Sequence, residues 1–429
     1  MTGSGPFLTD IDTRAKIRGS RDPLGLVPLW SRFGRKVVGN LTTVSDSVPG
    51  FATLLLGYYF ASDVWEGEHD GKVIERFLAF EQLAAYARYS KNKDDRFRGI
   101  ERVKERAGGA ESVRIGSRRD CQILSSQRTY GLWGLYSVPG RDSGLIERER
   151  PNLTEAARHF VERVYLPRLT GVAPRVTEQV VSLIGRESAE VSLSGDVVKA
   201  IAKVLGARSA PEREYFTECL VRGGPGDRTH GLQPRLADLM ATQLREPAFG
   251  MKQLEALVRA AGRSGDVDLE AALARIRDLE RLIVPMASVF DFVLSRDGRS
   301  LDDTGAALRR AWGKRLAFVD ASAVQALQAS IQEAYGDDPA AAGRYVAVAE
   351  ALAGGDYGTA VGLLVEHNAR VMSTRNGAAP WVRIGDRGKL DVRFREDVQQ
   401  LPTIDELRDA WRSTYFLNSL RSVQVELSE

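Results

Sequence analysis

Cysteine is almost missing from this chain of 429 residues, which contains Cys121 and Cys219 alone. The two stand roughly a hundred residues apart with no neighbouring Cys or close His, so they assemble neither a zinc ribbon, an iron–sulfur site nor a disulfide framework. Each reads as a small buried hydrophobe, as in a protein kept in a reducing cytoplasm. Long apolar runs are missing as well. The most hydrophobic stretch, FATLLLGYYFA at 51–61, is about half of the roughly 20 residues that span a bilayer. The opening MTGSGPFLTDIDTRAK is polar and lacks the apolar centre of a secretion signal. The expectation is a cytoplasmic protein with no membrane partner. The 41 Gly follow no triplet period and Pro numbers only 16, which excludes a collagen-like chain. No fixed repeat of about 20–50 residues recurs, which disfavours a regular solenoid. Lysine is scarce too: 11 Lys stand beside 49 Arg, and guanidinium forks suit phosphate and carboxylate.

What remains is an ordinary globular composition, 43% apolar and 27% charged, with length for two or three domains. Residues 1–20 read as a flexible arm. From Arg21, two short helices flank a loop at Asn40 to Gly50. Lys72 to Tyr89 reads as a helix, with Val73, Phe77, Phe80, Leu83, Ala84 and Ala87 at steps of three and four. Another spans about Thr154 to Tyr165, capped by Asn152 or Thr154 and closed by Pro167. The Gly/Pro-rich 222–234 segment (RGGPGDRTHGLQP) is the expected linker between an N-terminal helical domain, 21–221, and a C-terminal one, 235–429. Beyond it, Leu254, Leu257, Val258 and Ala261 form one apolar face, and Leu269, Leu273, Ile276, Leu279, Leu282 and Ile283 another. Helices continue over 306–335 and 340–352, and a last one spans about 404–418. Only WVRIGDRGKLDVRF, 381–394, alternates with period two, as a β-hairpin turning at Asp386 to Gly388. The expected fold is mainly α: an irregular multi-helix, two-domain architecture with a small C-terminal β-hairpin.

Charge is concentrated in one place. Residues 88–119 hold 11 basic and 5 acidic side chains, a local +6 in a chain whose net charge is +3. Arg96, Arg98, Arg102, Arg106, Arg114, Arg118 and Arg119 interleave there with Tyr89 and Phe97, and Arg128 follows among Ser, Gln, Thr and Tyr. Guanidinium forks for phosphates, polar donors that set register and rings for unstacked bases make a nucleic-acid surface. The same charges also suit a solvated helix laced with i,i+4 pairs. Near the C-terminus a helix with His367 and Arg370 runs into Arg375 and Asn376, then a hairpin with Trp381, Arg383 and Arg387. That combination reads DNA through Arg375 and Arg383, or caps the helical stack with Trp381 as its anchor.

Other constellations carry less. GGPGDRTHG at 223–231 lacks the Lys-Ser/Thr of a phosphate loop. Glu66, Glu68, His69 and Asp70 are competent hard-metal ligands, but no second carboxylate cluster completes a shell. No catalytic residue, metal or cofactor is therefore assigned.

The stretch RDPLGLVPLWSRFGRKVVGNLTTVSDSVPGFATLLLGYYFA, with its Arg-Asp-x-Leu-Gly start, polar Thr/Ser loop and aromatic helix, resembles the opening of uncharacterised bacterial proteins encoded beside restriction and phage-defence genes. The combination of His367, Arg375 and the Trp381 hairpin is similar to the same proteins. The resemblance implies a setting of antiviral defence and DNA handling, and carries over no catalytic residue. The expected function is a non-enzymatic DNA-binding or scaffolding subunit of a bacterial antiviral defence assembly, with DNA and other subunits as partners. Two alternatives stay open: a metal-dependent nuclease using Glu66, Glu68, His69 and Asp70, and a purely protein-binding structural subunit.

Overall fold

A computed structural model describes residues 22–62, 70–336, 338–375, 378–395, 398 and 400–429. The arm at 1–20, the Glu66, Glu68 and His69 cluster and Asn376 lie outside them. The fold is mainly α, with two small antiparallel sheets of two strands each among the described residues. None of the helices described is long and apolar enough to cross a membrane.

The chain forms two compact units: 35–249 with 416–429, and 250–415 with the described part of 1–34. The 222–234 segment, expected as a linker, lies inside the first. Its glycines serve left-handed turns, Gly223 at φ +94° and Gly231 at φ +83°. Asp227 knits the loop by accepting from the Thr229 N–H (2.8 Å), the Thr229 hydroxyl (2.6 Å) and the Gly231 N–H (2.8 Å). The amide of buried Gln233 then donates to Asn40 Oδ1 (2.8 Å) and the Leu220 carbonyl (2.9 Å). Asn40 in turn donates to the Cys219 carbonyl (2.9 Å). Gly and Pro here specify a packed loop rather than a joint.

At the centre of the 35–249 unit stands the helix Val48–Ser62, apolar all round and buried at every position except Tyr59. A helix of that kind belongs in a core rather than on a surface. It packs on Asp70–Ala87 through Gly57, where a Cβ would come within 2.7 Å of the Phe77 ring. Its N-terminus is held by Glu426 of the last helix, Leu417–Ser428, which accepts from the Val48 N–H (2.6 Å). The basic segment becomes a π-turn at Arg88–Asn92, a helix at Ile100–Ala107 and a strand at Ser112–Ile115. That strand pairs antiparallel with Ala189–Ser192, Arg114 opposite Glu190. Four residues a strand are too few to show a period in sequence. Thr154 does cap its helix, accepting from the Ala157 N–H (3.3 Å). Pro167 does not close it: a π-turn at Val161–Tyr165 bonds i to i+5, and Pro167 sits in the first turn of the continuation Leu166–Thr170.

The 250–415 unit is built on the antiparallel pair Met251–Ser264 and Val267–Leu294, joined through Gly265 at φ +74° and capped by Asp266. Leu301–Trp312 and Ala341–Gly354 both pack on Tyr357–Ser373. The hairpin forms as expected, Val382–Ile384 against Leu390–Val392. The helix expected over 404–418 is two: Ile404–Asp409, in this unit, and Leu417–Ser428, in the other. The chain between them is held open by buried Glu280, which accepts from the N–H groups of Arg412 (2.5 Å) and Ser413 (2.9 Å) and from the Tyr415 hydroxyl (2.9 Å).

Candidate functional site

A cavity of about 320 Å³ lies wholly within the 35–249 unit. Five stretches of chain meet there: the loop at 43–47 running into the start of the 48–62 helix, one face of the 70–87 helix with the π-turn beyond it, the loop at 96–98, Ile123, and the start of Leu132–Asp142 with Gly131 before it. The loop Arg96-Phe97-Arg98 forms its rim. Gly50 makes the wall possible, because a Cβ would stand 2.8 Å from the Tyr136 ring.

The face of the 70–87 helix that lines the cavity carries Glu81, Ala84, Ala85 and then Arg88, so one buried acid and one buried cation share an otherwise apolar stripe. Glu81 is 5% exposed. Its Oε1 accepts from the Leu132 N–H (2.7 Å), at the start of the 132–142 helix, and its Oε2 from the Gln127 side-chain amide (2.8 Å). Burial nevertheless pushes the Glu81 carboxyl up to about 7, because two donors do not replace full hydration. Arg88 donates to Asp94 from Nε (2.9 Å) and carries its guanidinium 4.9 Å over the Phe97 ring. Burial raises Asp94, but the Arg88 guanidinium and the Arg96 N–H outweigh it and hold the carboxyl below its usual range. Burial also raises the Tyr136 phenol. The interior therefore offers acceptors and apolar walls, with its own cation already neutralised. The rim is cationic: Arg96 is 80% exposed, 3.8 Å from Glu426, and Arg98 is exposed with no ion pair among the described residues.

The other expected nucleic-acid residues divide. Arg102 donates to the Gln122 carbonyl (3.1 Å) and Arg106 to that of Cys121 (2.9 Å), so both tie the 100–107 helix to the turn after the strand. Arg118 pairs with Asp120 (3.2 Å). Arg114, Arg119 and Arg128 are exposed, and no described acid pairs with them. Arg375 and Arg383 belong to the 250–415 unit. Arg375 donates to the Asp22 carbonyl (2.6 Å), and Arg383 pairs with its cross-strand partner Asp391 (2.7 Å). His367 is buried, and its Nε2–H donates to the Leu24 carbonyl (2.9 Å). Burial lowers its pKa to about 4, which keeps the ring neutral. Trp381 is buried and tilts over Phe394 with ring centroids 4.3 Å apart.

Sequence reasoning missed Glu81, Asp46, Ser47 and Tyr136. A signal existed for Glu81: it falls four residues after Phe77, inside the apolar stripe of its helix. Among the described residues no group of three or more His, Cys, Asp or Glu is placed to hold a metal. No protein-family model, curated protein or solved structure matches the chain.

Proposed function

We propose that this protein is a non-enzymatic nucleic-acid-binding subunit that grips the phosphate backbone with the basic segment of its 35–249 unit. The reading rests on Arg98, Arg114, Arg119 and Arg128, four exposed guanidiniums with no described acid paired to them within 31 residues of chain. An unpaired surface guanidinium gives up little on meeting a phosphate, whereas one already bound to a carboxylate or carbonyl must first be released. Arg96 at the cavity rim, whose contacts to Glu426 (3.8 Å) and Asp94 (4.0 Å) are both long, adds a fifth contact. The resemblance of residues 21–61 to defence-associated bacterial proteins supports an assembly in antiviral defence as the setting, with other subunits as partners.

The test is fluorescence anisotropy of labelled single- and double-stranded DNA over a salt series. Affinity falls linearly on a log–log plot, and removing Arg98, Arg114, Arg119 and Arg128 together flattens the slope by about one unit per arginine. Arg383→Ala, in the other unit, leaves binding unchanged. Absence of binding at low salt refutes the proposal.

A further inference from the structure

We infer that the 320 Å³ cavity receives a single unstacked nucleobase that carries an exocyclic amino group, with the attached phosphate at Arg96 and Arg98 on the rim. This rests on the nucleic-acid reading above and adds what that reading lacks, a base preference. Size is the first argument, since the volume stands at the lower end of the roughly 300–1,000 Å³ of small-molecule sites and suits one nucleoside.

The distribution of polarity is the second. Ala84, Ala85, Leu132 and Leu135 supply apolar walls, and the Phe97 ring at the rim supplies a surface on which a base can stack. Glu81 supplies acceptor oxygens in the interior. Each of them takes one protein N–H, and a carboxylate has capacity for about four donors, so acceptor positions remain for a ligand. Asp46 adds a second carboxylate to the lining, within electrostatic reach of Arg96 and Arg98 but in no ion pair with either. A lining of acceptors selects a base by its donors. Cytosine, adenine and guanine present an amino group, while thymine sets its one N–H between two carbonyls that carboxylates repel.

Charge is the third. Arg88 is bound by Asp94 at 2.7 Å, so the interior keeps no spare cation for a phosphate. The more exposed cations are on the rim, Arg98 with no ion pair among the described residues and Arg96 only in the long contacts to Glu426 (3.8 Å) and Asp94 (4.0 Å), which places the phosphate outside and the neutral base inside. A single strand enters most easily, because its bases need no unpairing.

The experiment compares labelled oligodeoxycytidylate and oligothymidylate of equal length by anisotropy at mildly alkaline pH, where cytosine is neutral. Wild type is expected to bind the cytidylate at least about five-fold more tightly, the lower bound for one discriminating hydrogen-bonded pair. Two variants occlude the cavity: Thr43→Trp from an exposed position at the mouth, and Ala85→Leu from within. Either one is expected to bring the ratio to unity, and the exposed Thr43 site keeps the test valid if the Ala85 variant misfolds. Equal affinities in wild type, or a preference that survives in both folded variants, overturns the inference and leaves backbone binding standing. Failure of both oligonucleotides to bind at low salt overturns both.

Discussion

Replacing Glu81 by Gln changes the pH dependence of stability in a direction that the cavity's geometry dictates. In the folded protein this carboxyl titrates at about 7, against an ordinary value of 4.5. The native state therefore holds a proton that the unfolded chain has released, and stability falls as pH rises through that window. Below about pH 4.5 both states are protonated, and above about pH 7 both are ionised, so the loss is confined between them and amounts to about 3 kcal/mol. The substituted side chain, a carboxamide, is neutral throughout and removes this slope. It also adds a pH-independent loss of about 1–3 kcal/mol, because its amide nitrogen meets the Gln127 amide nitrogen. Gln127 has no freedom to flip: that nitrogen also donates to the Leu78 carbonyl (3.0 Å), and its oxygen accepts from the Ile123 N–H (3.2 Å) and Gln82 (3.3 Å). The variant is thus less stable than wild type near pH 5 and equal or more stable near pH 8. Urea unfolding followed by circular dichroism at several pH values reads the difference, from which all other titrating groups cancel. Parallel curves for the two proteins across the window refute the burial argument and with it the placement of Glu81 in the cavity wall.

Three further outcomes follow from buried polar groups. Glu280→Ala leaves the N–H groups of Arg412 and Ser413 and the Tyr415 hydroxyl without their acceptor, so thermal unfolding should show a loss of about 3–5 kcal/mol, and a loss under about 1 kcal/mol would contradict it. Gln233→Ala removes the amide that joins Gly39, Asn40 and Leu220, and limited proteolysis is expected to open the 222–231 loop in the variant while wild type resists cleavage there. Both thiols are buried, and burial pushes Cys219 up to about 11. Ellman's reagent should therefore count none in the native protein at mildly alkaline pH and both after denaturation, and a fast-reacting native thiol would place that cysteine at the surface.

Much of the architecture was legible. The faces Leu254 to Ala261 and Leu269 to Ile283 repeat often enough for helical period to show, and they form the antiparallel pair that founds the 250–415 unit. The 381–394 alternation became a hairpin, and the apolar run at 51–61 became the helix that is buried except at Tyr59. The arginines were legible as a cluster but not one by one. Arg102 and Arg106 bond to carbonyls 20 and 15 residues further along the chain, and no local pattern distinguishes them from exposed Arg98 or Arg119. Glu81 is an acid at an in-period position of the apolar stripe, yet the groups that make it a cavity wall, at Gln127 and Leu132, are distant in sequence.

By itself the sequence determined the long helices, where charge gathers and that neither disulfides nor a cysteine metal site holds the chain, because these follow from local periodicity and composition. Tertiary structure decided the rest. It selected which cations remain unpaired, turned a Gly/Pro-rich segment into a packed loop around Gln233, broke the last helix at Glu280 and brought five separate stretches of chain around one cavity. Each of those outcomes depends on satisfying a buried polar group with a partner far away in sequence, a requirement that exists only once the chain has folded.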